Sequence, residues 1–439
     1  MNKMNNIIEE LKARGIWNAS FGQVNDLIVE GAKVYCGTDP TNPPDGSKAS
    51  LHVGHLMMFT TARLLQHLGL QPIILIGTAT CSLGDPSGKD QERGMMTMDR
   101  VMENSKAITE QVKKLLNFEE SSPNHAIMVN NYEWMKNISF LNFEREVGKY
   151  ISVNNMLTKE SVKRRIEREG CGISHQEFSY MLIQAYDFYH LYSTMGCKLQ
   201  MAGNDQQSNA GLGIELIHKK VGKDDAGAFF WPLLTNADGS KIGKTSGGKN
   251  VWLDPTKTSP FEFYQYFLNV SDVDAERFIK VLTLLPLDEI NAMIEKHREN
   301  PSARLLQKEL AKYMTCLVHS EEEYKKAIEA TEILFGKGTL EQLKSIDENT
   351  LLSAMDGVAK VEVSKDAFVS GVPVIDLAAM HDKVPSKSEA RKLIKANGFS
   401  INKIKPTSEK ETVTTPYLLG GKYLLLTKGK KDHCLIVAK

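Results

Sequence analysis

His52 and His55, in the stretch SLHVGH, stand three residues apart at the mouth of an apolar, helix-prone run, LMMFTTARLLQHLG. Histidines so placed can be surface residues, satisfied core residues or metal ligands. They can also bind an anion. About one turn apart on one helix face, at an N-terminus whose N–H groups and dipole favour negative charge, they suit a triphosphate. Gly54, just before the second histidine, lets a bulky ligand approach the backbone. A metal pair on a helix more often has i,i+4 spacing and a third ligand nearby.

GSKIGKT (239–245) is a second phosphate candidate. It resembles a Walker A loop but is one residue short between its glycines, and it lacks the flanking buried strand and helix that such a loop needs. Lys241 and Lys244 in this Gly/Ser loop read as cations that close over a phosphate, or as an exposed lysine loop. In YMLIQAYD (180–187), Tyr180, Gln184 and Asp187 share one narrow stripe of an otherwise apolar helix. Burying Asp and Gln costs free energy unless each finds a partner. The stripe therefore implies either a polar ligand or an internal hydrogen-bond network. GDPSGKDQER (84–93) joins Asp85 to Lys89 and Arg93 after a buried strand, or is an ordinary Gly/Pro turn.

Positioning such residues takes a sheet. AKVYCG (32–37) reads as a short strand, and LQPIILIGTAT (70–80) as a strand buried on both faces of a parallel sheet. The helix from near His52 to Gly69 lies between them, which makes a βαβ unit. HAIMVNN (125–131) and CKLQMAGND (197–205) are two further strands, separated by helical stretches such as MENSKAITEQVKKLLN and SHQEFSYMLIQAYDFYHLYSTMG. This alternation predicts a Rossmann-like α/β domain with an open parallel sheet over residues 1–235. The phosphate loop and a helical domain follow over 236–340, then a linker over 341–370 and a small α+β unit over 371–439. In that last unit Ser386 and Glu389 are expected to form a capping box and Gly398 to stop the helix, with strands in FSINKIK, KYLLLTKG and HCLIVAK.

The 439 residues suit two or three domains. The apolar share of 41% and the charged share of 25% are those of a soluble globular protein. Formal net charge is zero, yet residues 371–439 carry thirteen Lys or Arg against six Asp or Glu, hence +7. A small basic unit on a neutral chain is an RNA-binding candidate, the alternative being a solvated basic face. No apolar run approaches the roughly 20 residues that span a bilayer, and the N-terminus is a charged amphipathic helix start. The six cysteines are scattered without a CxxC, so no zinc site, disulfide framework or tightly bound metal is expected, and the default compartment is the cytoplasm.

Taken in order, YCGTDPT, HVGH, GDPSGK, NNYEW, YMLIQAYDF, LQMAGNDQ and KIGKT resemble the signatures of the bacterial-type tyrosyl-tRNA synthetases, a class I aminoacyl-tRNA synthetase family. HVGH is similar to that family's HIGH signature and KIGKT to its KMSKS loop. The basic C-terminal unit resembles an RNA-binding fold shared with a small-subunit ribosomal protein.

The resemblance implies activation of tyrosine by ATP to tyrosyl adenylate and pyrophosphate, then transfer to the terminal adenosine of tRNA(Tyr). It further implies that His52, His55 and Thr41 meet the ATP phosphates, that Lys241, Lys244 and Thr245 close over the pyrophosphate, and that Lys89 and Arg93 approach from the opposite side. Tyr35 and Asp187 would hydrogen-bond the phenol; Asp85, Tyr180 and Gln184 would hold the ammonium; Asp39, Asn131 and Gln200 would shape the pocket. Cys36, Gly203 and Asp205 would meet the adenylate ribose, with Gly54 beside ATP. Lys219 and Lys220 would contact the tRNA acceptor end, and Arg391, Lys392 and Lys395 of the basic unit would contact tRNA. Mg²⁺ would enter with ATP, the helical domain would bind the anticodon region, no membrane partner is implied, and the family assembles as a homodimer.

Two other functions compete. A synthetase for another aromatic amino acid, such as tryptophan, would not need the Tyr35–Asp187 pair. An RNA-binding paralogue without charging activity would have no physical need for HVGH, KIGKT and Asp85. The chain also departs from the family pattern. NPPDGSKA (42–49) lengthens the link between Thr41 and Ser50 and brings Lys48 near the phosphates. Gln207 and Ser208 replace the usual Trp-Gly, Thr38 stands where Phe is common, and His218 where Arg is usual.

Overall fold

The computed structural model describes residues 5–43, 46–83, 96–159, 162–163, 166, 173–244, 248–336, 338–355, 358–429 and 432–439. The chain divides into two compact units, one formed by 1–243, 250–254 and 267–318, the other by 244–249, 255–266 and 319–439.

The first unit is built on a six-stranded sheet: β1 (Ala19–Gly22), β2 (Lys33–Thr38), β3 (Gln71–Ile76), β4 (Ile127–Asn130), β5 (Leu199–Gly203) and β6 (Gly227–Trp231). Their spatial order is β1-β6-β5-β2-β3-β4. Every neighbouring pair is parallel except β1 with β6, which is antiparallel. β3 is buried along nearly its whole length, as its apolar run predicts. The run ends earlier than expected, however. Gly77 closes the strand, and Thr78–Cys81 turn into a short helix.

Strand order reverses at β2, whose neighbours are β3 on one side and β5 on the other. Ligands of open α/β sheets bind at the carboxyl ends of strands flanking such a point. β2 pairs with β3 over six residues but with β5 over only two, Val34–Leu199 and Tyr35–Gln200. β1 and β6 are absent from the sequence expectations. β1 is a short, exposed edge strand, and β6 is five residues long and starts at a glycine, so neither offers a clear period.

The His175–Met195 helix is capped by Ser174, whose hydroxyl accepts from the Glu177 N–H at 3.1 Å, and stopped by left-handed Gly196. It carries Tyr180, Gln184 and Asp187. Further along the same unit run the helices Asp272–Leu282, Leu287–Glu299 and Leu305–Val318. Arg14, at the end of the Asn5–Arg14 helix, fixes the first of these. Its guanidinium donates to the carbonyls of Lys280, Thr283 and Leu285 at 2.7–2.9 Å and pairs with Glu10. Unpaired carbonyls at a helix C-terminus are satisfied in this way.

In the second unit β7 (Ala359–Val363), β9 (Phe399–Ile401), β11 (Tyr423–Lys428) and β12 (Asp432–Ala438) form a sheet in the order β7-β12-β11-β9, and β8 (Val372–Pro373) pairs with β10 (Thr412–Val413). β7 lies parallel to β12. The stretch 341–370, expected as a linker, thus supplies a strand to this sheet as well as the helices Leu340–Ser345 and Glu348–Ala354. Alternating exposure along AKVEV, with lysine and glutamate outward, hid it from a reading based on apolar runs.

The expected capping box at Ser386 is half made. Its hydroxyl accepts from the Glu389 N–H at 3.2 Å, without a return bond from the carboxylate. The left-handed stop falls on Asn397 (φ 54), a residue that tolerates this region, and Gly398 only closes the turn through its N–H to Leu393. Among the described residues no helix is long and apolar enough to cross a membrane.

Candidate active site

Where β2 and β5 part, a cleft of about 340 Å³ opens in the first unit. From the two strand ends come Tyr35, Thr38, Asp39, Gln200, Gly203 and Asp205; from the long helix come Tyr180, Gln184 and Asp187. Thr41, Gly54 and His55 line its other side. Asp85, Lys89, Arg93 and Thr245 lie outside the described residues.

Asp187 is buried. Asn131 Nδ2 donates to its Oδ2 at 3.0 Å and Trp134 Nε1 to its Oδ1 at 2.8 Å. Burial raises its pKa to about 7, against the lowering effect of those two bonds, and the charge of Asp39 adds to the rise. Nearby, the Tyr35 hydroxyl and Gln200 Oε1 are buried without hydrogen-bond partners among the described residues. Burial, then the Asp187 charge, pushes the Tyr35 phenol well above its ordinary range, so it is a donor. An unmet donor beside a carboxylate in a dry pocket suits a ligand hydroxyl that accepts from one and donates to the other.

A polar network runs from this floor to the strand end. Asn131 Nδ2 also donates to Thr80 Oγ1 at 3.1 Å, Thr80 to Asp39 Oδ1 at 2.7 Å, and Tyr180 to Asp39 Oδ2 at 3.0 Å. The carboxylate held this way faces the cleft and can receive a cationic group. A Cβ on Gly77 would lie 2.0 Å from Asp39 Oδ1, so a glycine there is required. Gln184 Nε2 donates to Gln206 Oε1 at 3.2 Å, and Asn209 Nδ2 donates to Gln184 Oε1 and Gln206 Oε1 at 2.9 and 3.0 Å.

On the other wall the two histidines cap one another. His52 Nδ1 accepts from the Gly54 N–H at 3.0 Å and His55 Nδ1 from the His52 N–H at 3.1 Å, with the rings 3.9 Å apart. Each accepting Nδ1 assigns the neutral ring proton to Nε2, which makes both rings donors at their far edge. Burial lowers the His52 pKa to about 4, so it is neutral at physiological pH. They occupy a 3₁₀ turn, Val53–His55, ahead of the Leu56–His67 helix. His55 reaches the cleft wall, whereas His52 stands behind it.

Backbone bonds join this turn to the lysine loop: Val53 N–H to Val251 O, Leu253 N–H to Leu51 O and Val251 N–H to Gly243 O, all 2.8–3.0 Å. Gly243 (φ 84) passes so close that a Cβ would sit 3.1 Å from Gly54 N. Lys241 and Lys244 flank it, exposed.

Several expected residues are placed otherwise. Cys36 is buried behind the cleft, its thiol pKa pushed up by burial, and it does not line the wall. Asn131 acts through Asp187 and Thr80. The side chain of Lys220, expected with Lys219 at the tRNA acceptor end, is 7% exposed. Its ammonium pairs with Glu146 at 2.7 Å and lies 4.5 Å from the Tyr189 ring centre and 5.3 Å from that of Tyr150, so it packs a turn. Lys219 is more open but bonds Glu215 and the Tyr150 carbonyl. Arg391, Lys392 and Lys395 are exposed on one helix, Arg391 paired with Glu409.

Trp134 and Thr80 also belong to the site; Trp134 stands in NNYEW with no charge to single it out, and Thr80 closes an apolar run, 70–80, that reads as strand throughout.

The raised pKa of Asp187 gives a pH prediction. Between 3.8 and about 7 the folded carboxyl holds a proton that the unfolded chain has lost, so this group makes stability fall as pH rises through that window. The ionised form is the better acceptor for a ligand hydroxyl. Affinity for a phenolic ligand should therefore rise with pH and level off above about 7, changing by up to about tenfold per unit below it. Calorimetric titrations across this range check it; a flat profile sinks the role given to the carboxylate.

Residues 30–336 match the family model described as tRNA synthetases class I (W and Y), and residues 351–436 match that of the Tyrosine–tRNA ligase SYY-like C-terminal domain. The chain is 48% identical over 437 residues to the Tyrosine–tRNA ligase of Bacteroides fragilis strain YCH46, covering 99% of this chain and 100% of that one. It is 46% identical to that of Porphyromonas gingivalis strain W83 with the same coverage. Among solved structures it resembles a C-terminally truncated mitochondrial tyrosyl-tRNA synthetase of Aspergillus nidulans, with a TM-score of 0.66 and 30% identity over 75% of this chain and 94% of that one.

Proposed function

Since the chain belongs to the tyrosine–tRNA ligases, within the class I tRNA synthetases for tryptophan and tyrosine, we propose how its own residues carry that reaction. The protein joins tyrosine to tRNA at the expense of ATP. In the first step a tyrosine carboxylate oxygen attacks the α-phosphate of ATP, the bond to the β-phosphate oxygen breaks, and pyrophosphate leaves. In the second a ribose hydroxyl of the terminal tRNA adenosine attacks the adenylate's carbonyl carbon, the acyl–phosphate bond breaks, and AMP leaves.

The observation that carries the assignment is the unmet Tyr35 hydroxyl beside Asp187 on the cleft floor. Tyr35 donates to the substrate phenol oxygen and the phenol donates to Asp187. Asp39, with Tyr180 and Gln184, receives the ammonium alongside Asp85. The carboxylate then points toward Thr41 and His55. Gly203 and Asp205 meet the ribose, Gln200 shapes the pocket, and Cys36 supports it from behind. His52 orients His55, whose Nε2–H, with Lys241, serves the charge that builds on pyrophosphate; the family pattern gives the same role to Lys244 and Thr245. The family pattern assigns Lys89 and Arg93 to the same phosphates. Such catalysis is positioning plus electrostatic stabilisation. Mg²⁺ enters bound to the ATP phosphates.

Pyrophosphate exchange with tyrosine, tryptophan and phenylalanine tests the reading; comparable exchange with phenylalanine would overturn it. Residues 1–235 and the loop of Lys241, Lys244 and Thr245 carry activation, and the helical and basic parts serve tRNA, with Lys219, Lys220, Arg391, Lys392 and Lys395 assigned to tRNA. The active form is a homodimer in the cytoplasm. A chain ending at Met355 should keep pyrophosphate exchange and lose most tRNA charging. In the full chain, tRNA affinity should fall steeply with salt, as counterion release requires. Loss of exchange in a folded truncation would refute this division of labour.

A further inference from the structure

The eight-residue insertion 42–49 joins Thr41 to the segment before His52, and its described ends are held by one helix, Met98–Val112. Arg100, Asn104 and Gln111 lie at i, i+4 and i+11, which a helix of 3.6 residues per turn brings within about 40° of one another. Asn104 is fully buried. A buried amide is costly unless its polar atoms are paired. Asn104 Oδ1 accepts from the Ala49 N–H at 3.0 Å, and its Nδ2 donates to Asn42 Oδ1 at 2.6 Å. One side chain therefore closes the insertion at both ends. Arg100 reinforces it through Asn42 Oδ1 and the Gly46 carbonyl, at 3.3 and 3.0 Å. One step on, Gln111 Oε1 accepts from the Leu51 N–H at 2.8 Å and its Nε2 meets Ser50 Oγ at 3.2 Å.

We infer that this stripe, with Asn104 at its centre, positions the ATP side of the active site, acting through Thr41 and His52. Asn42 is the covalent neighbour of Thr41 and Leu51 that of His52, so the loop cannot shift without moving both. The helix serves the two substrates through different residues. Ser105 instead bonds Thr78 and Asn130, next to the network around Asp39 and Asp187. Loss of Asn104 should accordingly be felt by ATP and hardly by tyrosine. The inference rests on the phosphate role given above to Thr41 and the histidine turn.

Asn104→Ala and Asn42→Ala, made in the full chain, break the same bond from the core side and from the loop side; the second keeps the buried amide should the first fail to fold. Stopped-flow measurement of adenylate formation over an ATP series should show a loss of about tenfold or more in rate or apparent ATP affinity for Asn104→Ala, the scale of a misplacement of under 1 Å. Asn42→Ala should show a smaller loss in the same direction. Tyrosine affinity by fluorescence titration should stay within about twofold, and the losses of Asn104→Ala and His52→Ala should combine to less than their product. Equal losses for both substrates, or normal ATP kinetics in the folded variants, overturn the inference. His52→Ala alone separates the two levels. If it slows the ATP step while Asn104→Ala does not, only the clamp is refuted; if it leaves that step untouched, the phosphate reading falls and the clamp with it.

Discussion

Asp187→Asn is expected to weaken tyrosine activation sharply, at a modest cost in stability. The carboxylate offers two acceptor oxygens, and both are already met by donors, Asn131 Nδ2 and Trp134 Nε1. An amide offers one oxygen and one NH₂ group, so whichever way it turns, a donor faces a donor in a buried site. A buried unsatisfied group costs about 1–3 kcal/mol, and a hydrogen bond to a charged acceptor contributes about 1.5–3 kcal/mol. The phenol also loses that charged acceptor. The first cost is already present in the free enzyme and lowers its stability; the second, about 1.5–3 kcal/mol, predicts a fall of about 10–10² in kcat/KM for tyrosine in pyrophosphate exchange. ATP parameters should change little. A variant with near-normal tyrosine kcat/KM would remove Asp187 from the specificity site.

On the opposite wall the expected effect is on rate and not on tyrosine binding. His55→Asn keeps an acceptor that can cap the His52 N–H but shortens the reach of the donor edge. Lys241→Ala removes a cation beside the same turn. Both groups face charge that develops only as pyrophosphate departs. Each loss should slow adenylate formation by about 10²–10³, the range for removing one preorganised donor. Gly54→Val should act in the same direction for a second reason besides blocking ATP. A Cβ at that position sits 2.7 Å from His52 Cε1 and forces the imidazole away from His55. Pre-steady-state measurement of the forward step with separate tyrosine titrations distinguishes the cases; a His55→Asn enzyme with a normal rate and poor tyrosine binding would overturn the role of this turn.

Much of the cleft was legible because its residues sit in short ordered signatures, and because polar groups within apolar helical stripes need partners. Tyr35, Tyr180, Gln184 and Asp187 do converge on one cleft. What sequence could not express was who satisfies whom. Tyr180 donates to Asp39 through space, and the indole of Trp134 serves Asp187 from another element. The surroundings of Lys220 are equally invisible in sequence: two aromatic rings and a glutamate from distant positions enclose it. Fold was legible where periodicity was strong, as in β3 and the long helices. It was not where a strand was short or alternately charged, as in β1, β6 and β7.

The brief meeting of β2 and β5 has a consequence for what the amino acid does to the sheet. The last pair of that ladder is Tyr35 with Gln200, and these same two residues hold the unmet buried side-chain atoms of the cleft floor. Backbone bonding stops there, and the two leaves of the sheet diverge. A tyrosine that bonds across them becomes one more rung, made of side chains and substrate in place of peptide groups. Its binding energy is then also cohesion between the leaves, which the folded protein gains with the logarithm of free tyrosine above its Kd.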